Sequence, residues 1–330
     1  MRCSPTTVAS LCLALGVMSA QAADLPPHGP LRILIVSDEV NPHGLSDAEL
    51  SQPGDLSAAL LAPGSGLVLD PAPDGVLEIG TDDLPLVTAA LALPFGSAAA
   101  YDVLIYFAHR IPNGAGGATA QADFVAALEA FLVAGGGVVC FHHGTYLTAG
   151  KEAVLAVIGA TASGSVPWNT VEGQDVIDVA PGHFVTTRGV DYTGSVAYAD
   201  PARGVPAGSY DLFNNLPDER YPQFEIDPGA GTLQLLFASD YDDAGTTHVL
   251  GFTHRRPTWQ GVVVAYQPGE YQPQALDDPD GNNFQILANA IVYAAAAGTP
   301  VPALPALAGW IAALALLGSG SVWARRARGR

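Results

Sequence analysis

The sequence predicts an α/β chain: one flavodoxin-like three-layer domain with a mostly parallel sheet and additional strands, followed by a C-terminal transmembrane helix. Three observations carry that prediction. Short apolar runs alternate with helix-periodic segments over the first two-thirds of the chain, the pattern of right-handed βαβ units. The later region is richer in strand-like runs than such units supply. His43, His109 and His142 each fall just past a strand-like run, and strand carboxyl ends are where open parallel sheets bind their ligands.

The elements follow in order. Leu31–Ser37 (LRILIVS) is the first strand, and Asp47–Leu61 a helix interrupted by Pro53 and Gly54. Val76–Ile79 is a second strand, Leu84–Leu93 a helix, and Tyr101–Ala108 (YDVLIYFA) the next strand. Ala120–Ala134 is the clearest helix, because Phe124, Leu128, Phe131 and Leu132 recur at the spacing that makes one apolar stripe. Gly135, Gly136 and Gly137 end it and turn the chain sharply into Gly137–Phe141 (GVVCF). Lys151–Gly159 is a further helix. Val176–Val179, Thr232–Ser239, His248–Thr253 and Gly261–Gln267 read as strands, and Asn283–Ala296 closes the domain as an apolar helix.

The termini read differently. Arg2, the apolar core Val8–Ala20 and the small-x-small site Ala20-Gln21-Ala22 predict a signal peptide over residues 1–22. Residues 31–297 form the domain, 298–305 a linker, 306–324 the anchor and 325–330 a basic tail. The apolar stretch Leu304–Trp323 would span about 30 Å as a helix, the thickness of a bilayer core. Arg325, Arg326, Arg328 and Arg330 place its end in the cytoplasm and the domain outside it, in the periplasm or at the cell surface. Val301-Pro302-Ala303-Leu304-Pro305, the apolar helix and the Arg cluster together resemble an exosortase-type (PEP-CTERM-like) sorting tail. The expected partners therefore include the membrane.

Between the termini all 32 acidic residues stand against Lys151 and seven arginines, a charge near −24. So acidic a balance argues against nucleic acid and anionic membrane surfaces as partners. Cys140 alone remains in the mature domain, so no internal disulfide forms there.

The histidines carry the chemistry. His43, His109 and His142, with Glu219 as a fourth group, have the composition of a divalent-metal site suited to zinc. A metal-free polar pocket is the other reading of the same residues. His142 and His143 are adjacent, so in an extended segment they point to opposite sides. Cys140 lies inside an apolar strand and lacks small residues two before and two after, where Val138 and His142 stand. It reads as core, which argues against a cysteine-dependent amidotransferase or hydrolase. Of two calcium-like acidic runs, Asp240–Asp243 and Asp277–Asn283, the second has Asp278, Asp280 and Asn282 at alternate positions but lacks the Gly and Glu of an EF-hand loop, so it reads as a solvated turn.

The run Gly135–Gly144 (GGGVVCFHHG), with Asp218-Glu219-Arg220-Tyr221 further on, resembles the trehalose-utilisation (ThuA-like) family of the class I glutamine amidotransferase-like superfamily. So do Asp38–His43, Phe107-Ala108-His109, His183–Thr186, Arg255 or Arg256 ahead of Val262–Tyr266, and Asn289-Ala290-Ile291. The resemblance covers about residues 31–297. It departs at two places: the family's late Gly-His is Gly269-Glu270, and its His-Pro is His183-Phe184. It implies a role in carbohydrate utilisation, with a carbohydrate or sugar derivative as ligand. His109, His142 and Glu219 would be catalytic, directly or through a metal-bound water. His43, His143, Tyr221 and Glu270 would bind ligand. A non-catalytic surface module that binds glycan or protein is the alternative, favoured by the missing late histidine.

Overall fold

The computed structural model describes residues 28–38, 55–71, 75–109, 117–146, 150–161, 173–215, 219–221, 224–227, 229, 231–239, 248–269 and 281–298. The expected signal peptide, linker, anchor and basic tail lie outside these residues, apart from position 298 at the end of the last helix. So do His43, Glu270, the first part of the expected helix Asp47–Leu61 and the acidic run Asp240–Asp243.

Among the described residues twelve strands and six helices follow one another. The first are β1 (Ile33–Ser37), α1 (Asp55–Leu61), β2 (Val76–Gly80), α2 (Leu84–Leu91), β3 (Val103–Tyr106), α3 (Gly117–Ala134) and β4 (Gly137–Phe141). Then come α4 (Glu152–Ile158), β5 (Ala160–Thr161), β6 (Gln174–Asp178), α5 (Phe184–Thr187), β7 (Gly194–Asp200) and β8 (Val205–Asn215). The domain closes with β9 (Glu225–Ile226), β10 (Thr232–Ser239), β11 (His248–Arg255), β12 (Val263–Tyr266) and α6 (Asn282–Gly298).

One 10-stranded sheet orders the fold as β2-β1-β3-β4-β12-β11-β10-β6-β8-β7. Its first half is parallel, through β2–β1, β1–β3, β3–β4 and β4–β12. Its second half, from β12 to β7, is antiparallel throughout. The additional strands thus equal the parallel ones, and the sheet is mixed rather than mostly parallel. The sequence pattern does not show β7 and β8, and these two make the antiparallel wing long.

The central strands β1, β3, β4 and β12 are buried along their whole length, as strands covered on both faces must be. On one face Val87 of α2, Phe124 and Leu128 of α3 and Val154 of α4 share a core with Leu34, Leu104 and Val138. On the other, Leu60 of α1, Val185 of α5, and Ile286 and Ile291 of α6 share a core with Ile35, Ile105 and Val264. The result is the expected three layers. Among the described residues α3 has the length and apolarity to cross a membrane. Its stripe of Phe124, Leu128, Phe131 and Leu132 is buried against the sheet, which makes it a core helix.

Topology fixes where the chemistry sits. The carboxyl ends of β1, β3, β4 and β12 share one edge of the sheet. Because β11 pairs antiparallel with β12 and β10 with β11, the start of β11 and the end of β10 reach that same edge. Ser37, Ser239 and His248 are buried there.

Candidate active site

Asp38 follows β1 directly and His109 lies just past β3, so the parallel pairing of the two strands brings the residues together. Asp38 Oδ2 accepts the His109 backbone N–H at 3.0 Å and stands 2.9 Å from His109 Nδ1. Burial pushes the Asp38 carboxyl up, but its hydrogen bonds with His109 and the charges of His109 and His143 outweigh that and hold it below the ordinary value. An ionised Asp38 takes the proton of His109 Nδ1 as a hydrogen bond and so fixes the imidazole's tautomer and orientation.

The turn after β4 is the tightest part of the site. His142 has φ +37°, and it alone among the described non-glycine residues has a positive φ. The turn His142–Thr145 is a single 3-10 turn, closed by Thr145 Oγ1 donating to the His142 carbonyl at 2.7 Å. Gly144 lies against the Tyr106 carbonyl at the end of β3, where no Cβ fits. A strained residue after a strand, with Cys140 two before and Gly144 two after, has the small-residue spacing of a nucleophile elbow shifted by two positions. The elbow presents an imidazole and leaves Cys140 inside, where burial pushes its thiol up to about 12.

This turn overrules the expectation that His142 and His143 diverge. In the 3-10 turn both are buried and their ring centroids lie 4.6 Å apart. His143 packs on His109 at 3.7 Å between centroids and stacks on Phe107 at 4.9 Å. His142 Nδ1 donates to the Gln267 carbonyl at 2.7 Å, which leaves the lone pair of a neutral ring on Nε2. That Nε2 faces the Tyr221 hydroxyl at 3.4 Å and Glu219 Oε2 at 4.0 Å, while Tyr221 donates to Glu219 Oε2 at 2.9 Å. Glu219 and Tyr221 are thus buried in the crevice, not part of a solvated loop.

Three residues of the site escape sequence reasoning. Asp38 enters it only as part of a motif, although it is the residue just past a buried strand. Gln267 is its counterpart just past β12: its side chain donates to Val249 O and Tyr221 O and accepts the Tyr221 N–H at 3.0 Å. One glutamine therefore sets both the His142 ring and the Tyr221 backbone. Lys151 is wholly buried beneath the two histidine turns. Its Nζ donates to Ala108 O at 2.7 Å, His109 O at 3.2 Å and His143 O at 2.7 Å, ties that need all three protons of an ammonium. Burial pulls it down to about 7, with Cys140 and Asp38 pushing back.

Of the predicted metal trio, His43 lies outside the described residues, and only His109 and His142 can be placed. Among the described residues two groups could each hold an ion, Asp38–His109–His143 and His142–His143–Glu219, with His143 common to both. His109 and His142 fall in different groups, because the elbow sets His143 between them.

Other residues of the predicted resemblance serve the scaffold. His183 Nδ1 accepts from Val185 N at the start of α5, and its ring lies on Tyr293. Asn289 donates to Val185 O and Arg188 O and so ties α6 to α5. Arg255 donates to Gln260 O, Gly261 O and Ala297 O ahead of β12.

No protein-family model matches the chain, and no curated protein matches it. Among solved structures it is similar to a ThuA-like protein from Bacteroides uniformis, at 14% identity and TM-score 0.47, covering 81% of this chain and 92% of that one. A ThuA-like protein from Parabacteroides merdae gives 15% identity and TM-score 0.48, with 81% and 90% covered. A β-galactosidase from Rahnella sp. R3 gives 14% identity and TM-score 0.42, with 79% and 31% covered. The chemistry below rests on this chain's own residues.

Proposed function

We propose that this chain is an exported, membrane-tethered domain of the ThuA-like kind, acting in carbohydrate utilisation through acid/base chemistry on a sugar derivative. The observation that carries the reading is the chain of contacts Gln267 O–His142–Tyr221–Glu219, buried at the carboxyl edge of the sheet and linked through His143 to His109. The sequence motifs shared with the family support the link to carbohydrate. The apolar stretch Leu304–Trp323 and its arginine tail support tethering, and the N-terminal leader supports export.

His142 is the base. Its Nδ1 proton is committed to Gln267 O, so Nε2 takes a proton from a sugar hydroxyl or from carbon beside a carbonyl. The imidazolium that forms has an acceptor on each side, Gln267 O on one and the Glu219–Tyr221 pair on the other, which stabilises it in place. The Tyr221 hydroxyl, bridging His142 and Glu219, returns the proton to a developing oxyanion or leaving group. His109, held by Asp38, presents a second imidazole of fixed tautomer across the stack.

The test is turnover by the full chain against a panel of disaccharides, their oxidised derivatives and sugar esters, with His142→Ala and Glu219→Gln beside it. Removal of an acid/base group is expected to cost about 10²–10⁴-fold in rate while the unfolding transition is kept. Saturable glycan binding with no turnover of any member would replace this reading with the binding module.

A further inference from the structure

We infer that Asp38, His109 and His143 form a binding site for one divalent transition-metal ion, set beside the His142–Tyr221–Glu219 relay. The inference deepens the proposed acid/base reading but does not depend on it. The three residues each offer a ligand atom within 4.8 Å of the others. They are 5%, 8% and 2% exposed, so the site is built into the fold rather than gathered on its surface. Edges of about 3.4 Å join the ligands of a tetrahedral zinc ion with bonds near 2.1 Å, so closing on a metal asks for shifts of about 1 Å.

Two observations select this group over its neighbour. First, Asp38 Oδ1 is buried and accepts no hydrogen bond among the described residues, while Oδ2 of the same carboxylate is engaged twice by His109. A buried carboxylate oxygen without a donor is costly, and a cation is the partner that satisfies it at full charge. Second, the other group is already satisfied within itself. Glu219 Oε2 accepts from Tyr221, and His142 is turned by its bond to Gln267 O. That group is arranged to move a proton.

Charge points the same way. Among the three ligands Asp38 brings one buried carboxylate, whose negative charge offsets part of a divalent ion's own. The His109 Nδ1–Asp38 Oδ2 separation of 2.9 Å is near the bite of a single ion. On loading, the proton shared by these two atoms would leave to solvent, and the carboxylate would meet the ion through both oxygens, which gives Oδ1 its partner. Two imidazoles and one carboxylate with an open fourth position suit zinc or a neighbouring late first-row metal, whose bound water would then lie next to the His142 base.

The experiment uses the full chain, purified in detergent without chelator or affinity metal. Metal content is read by plasma mass spectrometry, and the visible spectrum is recorded after cobalt(II) is added. Asp38→Asn and His143→Ala remove ligands from two different strand ends, and His142→Ala removes the relay's imidazole. The expected result is about one ion per wild-type chain with tetrahedral cobalt bands. Affinity should fall about 100-fold or more in the folded Asp38→Asn and His143→Ala variants and hold in His142→Ala. A folded wild type that takes up neither zinc nor cobalt overturns the inference. So does loss of the ion in His142→Ala with retention in Asp38→Asn, which would move the site to the other group. Sugar turnover by a wild type that takes up no metal would leave the acid/base reading standing and remove the metal alone. Metal binding without turnover would do the reverse.

Discussion

Cys140 and His142 stand two positions apart at the end of one strand, and the backbone gives them opposite fates. Cys140 belongs to β4 and lies in the core with its thiol pushed up to about 12. Thiolate is the reactive form, so at pH 8 about one molecule in 10⁴ carries it, and that one is shielded. Iodoacetamide at pH 8 is expected to leave Cys140 unlabelled in the native protein and to modify it fully in denaturant, read by intact mass. Rapid native labelling would restore the nucleophile that the elbow geometry removes. Lys151 is the second residue whose role lies in burial. Replacing it with Met keeps the volume but takes this donor from Ala108 O, His109 O and His143 O, of which His143 O keeps the Tyr146 N–H. Each unsatisfied carbonyl costs about 1–3 kcal/mol, partly offset by no longer burying an ammonium. Urea unfolding of Lys151→Met should show a loss of about 2 kcal/mol, and an unchanged midpoint would show that the two histidine turns hold without the lysine.

At the scale of elements, the parallel half of the sheet and strands β6, β10 and β11 of the antiparallel wing were legible, and β7 and β8 were not. The runs at β1, β3 and β4 are continuous and apolar because both faces are covered, and turn residues or a polar residue bound each one. β8 hides because most of its residues are exposed or half-buried and Pro206 and Gly208 interrupt its pattern. Its partner β7 is the edge strand, with exposed Gly194 and Ser195 at its start. The site followed the same rule. His109 and His142 were legible because each lies just past a readable strand. Asp38 and Gln267 occupy equivalent places, yet an acid and an amide after a strand carry no signature of their own. The conformation of the β4 turn was also beyond reach, since the left-handed His142 depends on Gly144 seating against β3. That contact gives a prediction. Gly144→Ala sets a methyl against the Tyr106 carbonyl, with Cys140 Sγ also close at 3.1 Å. The turn must move, and both histidines move with it. The variant is expected to lose turnover and metal together and to melt at lower temperature. Gly204→Ala, on an open turn at a positive φ, should change stability by about 1–2 kcal/mol and leave the site intact. Normal metal binding and turnover in Gly144→Ala would show that the elbow does not set the site.

For the whole molecule the governing quantity is charge. The chain carries 32 acidic against 13 basic side chains, and four of the arginines lie in the last six residues. The domain is therefore strongly anionic, and its carboxylates repel one another more in the compact state than in the unfolded one. Against this stand few attractive pairs among the described residues. Arg203 bridges Asp200 and Glu225, which ties the β7–β8 connection to β9, and Arg256 pairs with Glu129 of α3. Salt weakens both terms, but not equally. The repulsion is summed over many separated charges and is screened once the Debye length falls below their spacing, about 10 Å at 0.1 M. The Arg203 pairs are short, partly buried and hydrogen-bonded, so they are screened less. Raising sodium chloride from about 10 mM to about 0.5 M should therefore raise the melting temperature by a few degrees. Scanning calorimetry of the wild type and of Arg203→Gln measures both contributions. The variant should melt lower at either salt concentration and keep the same upward slope, because the slope belongs to the net charge and not to the clasp. A melting temperature that falls with salt would mean that these few ion pairs outweigh the collective repulsion. An upward slope would mean that the collective repulsion among the acidic side chains, and not the few ion pairs, sets the salt response of the fold.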